Sequence, residues 1–218
     1  MVNALIPYQN FTSTLAVSNP FWTADQGTAV WFHERLTPSF VTLLDALTEF
    51  GSSEWIAVVL FAITLFFAWR RSWPSLVTLI IAVPGGMLLN EWVKLLVHRQ
   101  RPFVDGPFVN WSGYSFASGH TAGATLLYGQ LLLFLLPFLK TRHLRIVCAF
   151  SAALLVGLVG FSRIALGAHF LTDVLAAIIF GMVWLMLCAV LGNWMQRRTI
   201  VFQTSSQPAE NPTVHTSL

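Results

Sequence analysis

Apolar residues dominate this chain in long blocks, interrupted by short polar or basic breaks. A hydrocarbon core of about 30 Å takes about 20 helical residues at 1.5 Å each. Five stretches meet that length, roughly 53–70, 74–97, 119–138, 145–165 and 169–195, and each is expected to cross a bilayer as a helix. Segment 36–51 is shorter and carries Asp45 and Glu49. It reads as an amphipathic helix lying at the interface, with a sixth, partial span as the other arrangement. Residues 1–35 are aromatic-rich but interrupted by Pro7, Pro20 and Gly27, and no span is assigned there. The tail beyond about 199 has turn formers and little to bury, so disorder is expected. The fold class is therefore all-α, a polytopic transmembrane helix bundle. Its parts are an N-terminal segment (1–52), a membrane core (53–196) and a disordered cytoplasmic tail (197–218).

Composition agrees. Of 218 residues, 56% are hydrophobic and only 10% charged, where water-soluble domains carry about 25% charged residues. Lipid must replace water over much of this surface. The net charge of +3 does not signal nucleic acid, because the twelve Lys and Arg residues form no dense basic run. Cys148 and Cys188 lie inside apolar segments with no zinc or disulfide spacing, and read as small buried hydrophobes. The first twenty residues lack the basic start and long apolar core of a cleavable signal peptide.

Basic residues in short loops set the orientation. Arg70 and Arg71, then Lys140, Arg142 and Arg145, then Arg197 and Arg198 fall on one side of a five-span chain, which becomes the cytoplasm. Loop 98–118 and turn 162–169 then face outward. Lys94, Arg99, Arg101 and Arg163 lie on that outer side against the rule, and need another reason to be there.

Three outward clusters hold nearly all the unusual polar residues. In the first, Lys94 and Arg101 are seven apart, close to two helical turns, and so project from nearly one face. Pro102 disfavours helix at Arg101, so the helix is expected to end there. Snorkelling to lipid headgroups is the plainer account of these two cations. The second cluster is Ala117-Ser118-Gly119-His120-Thr121, before an apolar helix. Ser118 suits an N-cap, Gly119 permits close backbone approach, and a helix start offers an anion site. A simple capping loop would use the same residues, but His120 could also donate a proton to a leaving oxygen. In the third, Ser162-Arg163, five residues, His169, three residues and Asp173, a helix beginning near 169 would put His169 and Asp173 on one face. The carboxylate would fix the ring tautomer and stabilise the imidazolium after attack. Arg163 offers a planar fork for two phosphate oxygens. A His–Asp pair pinning helices is the structural alternative, yet an Asp inside an apolar span is costly and by default functional.

Together, three cations, a polar helix start and two histidines fit an anionic tetrahedral group. The three clusters resemble the motifs of the type 2 phosphatidic acid phosphatase superfamily, whose members are membrane lipid phosphatases. The motif Lys-x6-Arg-Pro reads KLLVHRQRP at 94–102, and Ser-Arg-x5-His-x3-Asp reads SRIALGAHFLTD at 162–173. The motif Pro-Ser-Gly-His reads ASGH at 117–120, with Ala117 in place of the family's proline. That proline shapes a loop, so the chemistry is left standing. The resemblance implies that His169 attacks phosphorus with Asp173 orienting it, and that His120 protonates the leaving oxygen. It also implies that Lys94, Arg101, Arg163, Ser118 and the Gly119 N–H hold the phosphoryl oxygens. Three fixed cations can take the place of a divalent metal, and no carboxylate cluster suggests one. No metal and no cofactor are therefore expected.

Among the remaining polar residues, Arg99 is open between assisting the phosphate and a solvated loop charge. Glu91, one turn before Lys94, is expected to pair with it. Asn90 and Gln130 are expected to bond between helices, and Pro84-Gly85-Gly86 to kink the second span. Asn10 and Asn110 match a glycosylation pattern by chance, and Trp111 lies beside the expected site. The expected function is hydrolysis of a lipid phosphate or diphosphate at the outer face of a bacterial inner membrane. Undecaprenyl diphosphate, phosphatidylglycerol phosphate and phosphatidate all qualify, with a slight lean to the first. Membrane lipids are the expected partners. A lipid-linked phosphotransferase would use the same residues; a non-catalytic anionic-lipid transporter would leave His169, Asp173 and His120 without a purpose.

Overall fold

The computed structural model describes residues 20–103 and 112–205, without the side chains of 20–22, 33 and 193–205. Asn10, Asn110, Trp111 and the tail from 206 lie outside the described residues. All described secondary structure is helical: α1 (Pro20–His33), α2 (Pro38–Glu49), α3 (Ser53–Trp69), α4 (Trp73–Ile80), α5 (Gly86–Val97), α6 (Gly119–Leu135), α7 (Arg142–Ala165) and α8 (Leu171–Ser205). Among the described residues five helical runs are long and apolar enough to cross a membrane: Pro38–Trp69, Trp73–Val97, Gly119–Phe138, Arg142–Ala165 and Leu171–Gly192. Their starts follow local chemistry. Thr37, Ser52 and Thr141 each accept a backbone N–H three residues on, at 3.4, 3.1 and 3.3 Å, and so cap α2, α3 and α7.

The first run has a turn at Phe50–Ser52 that separates α2 from α3. One face of α2, Val41 and Leu44, packs on Ala165 and Leu166 at the end of α7. The segment expected to lie at the interface is thus a separate helix covering one end of the bundle. α1 is a helix within the segment assigned no span, and at 14 residues it is too short to be one. At the other end α8 remains helical through Ser205, past the point where disorder was expected.

α6 runs through the middle, touching α3, α5, α7 and α8. Small residues make this possible. A Cβ on Gly123 would run into Ile56 Cδ1, so glycine here leaves room for the Ile56 side chain of α3. Around it Ile56, Leu79, Val83, Leu126, Leu127 and Leu185 form the largest buried apolar cluster. Between α4 and α5 the expected kink is a π-helical stretch, Ile81–Gly85, holding Pro84. Proline removes a backbone donor and frees carbonyls upstream. Trp184 Nε1 on α8 donates to two carbonyls of this stretch, Ile81 O at 3.2 Å and Ala82 O at 3.0 Å, and ties α8 to it. The outer faces carry exposed apolar side chains such as Phe61, Leu96, Phe138 and Val190, as a lipid-facing surface requires.

Candidate active site

The ends of α5, α6 and α7 and the start of α8 meet at one end of the bundle, beside α1 and α2. Lys94 sits in the last turn of α5, where a cation suits the helix dipole. That helix stops at Val97, because His98 takes a left-handed conformation (φ 52°). The expectation that the helix carries on to Arg101 is therefore wrong, and Arg101 arrives from the loop. Lys94 Nζ bonds Glu91 Oε1 at 2.7 Å, as the one-turn spacing suggests. The same nitrogen would lie 3.1 Å from a Cβ on residue 119, so Gly119 lets the ammonium reach the α6 backbone.

Ser118 holds the N-cap position of α6 but makes no side-chain cap bond. Its hydroxyl accepts from Thr121 Oγ1 at 3.0 Å, and its N–H donates to the Asp173 carbonyl at 3.3 Å. This ties the second cluster to the third. Asn90 Nδ2 donates to Ala117 O at 3.4 Å, linking the first to the second. His120, in the first turn of α6, feels the charges of Arg163, Lys94 and Arg101 and also His169. Arg163 is buried in the last turn of α7, with Nη1 3.3 Å from Thr48 Oγ1 on α2. Its carbonyl accepts the N–H groups of Ala168 and His169, closing the turn that delivers the imidazole.

His169 precedes α8 rather than lying in it, since the helix begins at Leu171. The expected one-face spacing of His169 and Asp173 is thus corrected. Asp173 sits in the first turn, and its Oδ2 accepts the Phe170 N–H at 2.9 Å, capping the helix from within. The His169 ring remains nearby, but its Nδ1 is 3.8 Å from Asp173 Oδ2, beyond hydrogen-bond length. Ser115 bridges the gap. Its hydroxyl donates to Asp173 Oδ2 at 2.5 Å and lies 3.4 Å from His169 Nδ1. That path directs the ring proton to Nδ1 and leaves Nε2 with a lone pair. Nε2 lies 3.4 Å from Arg101 Nη1, which also donates to Ala168 O at 3.0 Å. Arg101 Nε reaches the Ser112 and Gly113 carbonyls, both at 3.1 Å.

Burial pushes the His169 pKa down to about 4; Arg163 and Arg101 push the same way, and Asp173 opposes them. The ring is neutral at pH 7, the form a nucleophile needs. Burial also lowers the Arg101 pKa, with Asp173 opposing.

Arg99 is not a solvated loop charge. Its guanidinium bridges Asp173 Oδ1 at 2.6 Å and Asp25 Oδ2 at 2.7 Å. It also bonds Thr172 Oγ1 at 2.6 Å and stacks over the Phe170 ring. Ser115, Asp25 and the role of Arg99 escaped the sequence reading. A buried acid in a short aromatic helix was the signal available for Asp25. Ser115 had none. Among the described residues no three His, Cys, Asp or Glu side chains gather as a metal site.

The sequence profile of the PAP2 superfamily matches residues 75–197, more than half of the chain. The chain belongs to the PAP2 superfamily. This PAP2 protein is 34% identical over 157 residues to phosphatidylglycerophosphatase B of Bacillus subtilis, covering 70% of this chain and 71% of that one. It is 29% identical over 171 residues to the lipid A 1-phosphatase of Rhizobium johnstonii, covering 67% and 65%. The crystal structure of a transmembrane PAP2-type phosphatidylglycerolphosphate phosphatase from Bacillus subtilis superposes with a TM-score of 0.72 at 28% identity, over 81% of this chain and 88% of that one. Aquifex aeolicus LpxE shares the fold, with a TM-score of 0.57 at 21% identity over 76% and 94%. This PAP2 protein is accordingly an integral membrane lipid phosphate hydrolase.

Proposed function

We propose that the protein hydrolyses a phospholipid phosphomonoester of the phosphatidylglycerol phosphate type through a phosphohistidine on His169. One observation carries this reading: a buried neutral imidazole with Nε2 beside Arg101 and Nδ1 backed by Ser115 and Asp173. Lys94, Arg101 and Arg163 neutralise the phosphoryl oxygens, with Ser118 and the Gly119 N–H completing the cradle. Phosphoryl transfer asks mainly for positioning and charge neutralisation, so no metal is assigned a role.

In the first step the Nε2–P bond forms and the P–O bond to the lipid breaks. A bound phosphate offsets the cations around His120, which lets His120 carry a proton and pass it to the departing lipid oxygen. The positive charge arising on His169 is spread through Ser115 to Asp173. In the second step His120 takes a proton from water, the oxygen attacks phosphorus, the N–P bond breaks and inorganic phosphate leaves. The basic turns at Arg70–Arg71 and Lys140–Arg145 lie at the opposite ends of the spans from this site. That supports a site facing the periplasm or outside of a bacterial inner membrane. A substrate anchored by its acyl chains would present only its headgroup to His169.

Phosphatidylglycerol phosphate is favoured over undecaprenyl diphosphate and phosphatidate because of the relative at 34% identity. The test is phosphate release by wild type and His169→Ala across those three lipids in detergent. Wild type should work fastest on phosphatidylglycerol phosphate and the variant on none. An active His169→Ala protein would end the phosphohistidine reading; a faster turnover of another lipid would change the substrate alone.

A further inference from the structure

α1 brings one buried acid to the edge of the site, bonded to Thr172 and Arg99. Asp25 is 2% exposed and is satisfied from three directions. Its Oδ1 accepts the Thr172 N–H at 3.0 Å, and its Oδ2 accepts Thr172 Oγ1 at 2.5 Å and Arg99 Nη2 at 2.7 Å. The other arm of Arg99 holds Asp173 Oδ1. One guanidinium thus spans two carboxylates, and its planar fork suits that geometry where a lysine would not. Asp173 has both oxygens occupied: Arg99 on Oδ1, Ser115 and Phe170 on Oδ2.

We propose that Asp25 is a positioning residue for the His169–Asp173 pair, acting through Arg99. The proposal rests on the reading of His169 as nucleophile. Shared between two acids, Arg99 neutralises Asp173 only in part and pulls on its Oδ1 from a fixed direction. Without the Asp25 charge, Arg99 would belong to Asp173 alone. It would then draw the carboxylate from Ser115 and cancel more of the negative potential felt at His169. The ring would become less basic and its imidazolium less well stabilised. His169 is faced by Arg101 from the loop, Arg163 from α7, His120 from α6 and Asp173 from α8, so only the last of these supplies negative charge.

The experiment uses the full chain in detergent with phosphatidylglycerol phosphate. Asp25→Asn should lower kcat about tenfold, the scale of a misplaced orienting group, with KM changed less than about twofold. The His169 ring signal, followed by NMR in histidine-labelled protein, should titrate at lower pH than in wild type. Asp25→Glu, which keeps the charge, should recover part of kcat and the wild-type titration. Phe32→Ala is the control for loosening α1, because Phe32 meets Phe161 on α7 edge-on and packs on the apolar cluster of Val41, Leu44, Ala165 and Leu166. It should lower Tm and leave both kcat and the ring titration near wild type. If Asp25→Asn changes Tm alone, as Phe32→Ala does, Asp25 only docks α1 and the proposal is overturned. If Asp25→Asn does not yield folded protein, Arg99→Lys decides: a wild-type kcat there overturns the proposal, and a loss at unchanged KM supports it. His169→Ala runs beside these. Activity in that variant would sink the nucleophile, whereas an inactive His169→Ala with a wild-type Asp25→Asn would sink only this inference.

Discussion

Ser115→Ala isolates the link between the two residues that were expected to touch and do not. The substitution removes a hydroxyl bonded to Asp173 Oδ2 at 2.5 Å and 3.4 Å from His169 Nδ1. Ser115 and Asp173 are both fully buried, so water does not take its place. Asp173 keeps Arg99 and the Phe170 N–H, so the carboxylate stays partnered and the fold should survive. A hydrogen bond to a buried charge is worth about 1.5–3 kcal/mol. If it strengthens as His169 becomes positive, the loss falls on kcat, about 10- to 100-fold at about 1.4 kcal/mol per decade. KM should change less than about twofold, since Ser115 lies on the Nδ1 side of the ring, opposite the Nε2 proposed to attack. Phosphate release at saturating lipid, compared for wild type, Ser115→Ala and Ser115→Thr, reads this directly. Threonine keeps the hydroxyl and should recover much of the rate. A Ser115→Ala protein with wild-type kcat would show that His169 and Asp173 close the 3.8 Å gap unaided, and the bridge would be refuted.

Other outcomes follow from the same geometry. Gly119→Ala puts a Cβ 3.1 Å from Lys94 Nζ; displacing that ammonium should raise KM several-fold, and an unchanged KM would remove Lys94 from the phosphate site. His169 sits at about 4 when folded against 6.5 unfolded, so between these values the unfolded chain binds more protons. Folding stability is then retained above pH 6.5 and falls as pH drops toward 4. Tm measured across that window should decline more steeply in wild type than in His169→Gln, and equal slopes would argue against a buried neutral ring. Phosphate release should persist in EDTA, whereas a loss restored by Mg²⁺ would reinstate a metal.

Much of this was legible because the bilayer leaves few options. A backbone in hydrocarbon must satisfy itself, so apolar blocks of the right length become helices. Cations that break the orientation rule drew attention to Lys94, Arg101 and Arg163, and those helix ends do converge. What stayed hidden depends on partners far apart in sequence. Arg99 meets Asp25 and Asp173, each 74 residues away, and no local spacing announces such a bridge. Two helix boundaries were misplaced for local reasons. His98 stops α5 in a left-handed conformation usually left to glycine. The bond from the Phe170 N–H to Asp173 starts α8 two residues after His169. Both shifts keep the named residues in the site but change how they are held.

The central claim, that His169 takes the phosphoryl group, is tested most directly by trapping the intermediate. Wild-type protein mixed with lipid carrying radiolabelled phosphate should be quenched in base, where phosphohistidine survives, and the labelled peptide sequenced. The label should sit on His169 and be absent from His169→Ala. Label on a different residue, or a His169→Ala protein that turns over at the wild-type rate, would contradict the account.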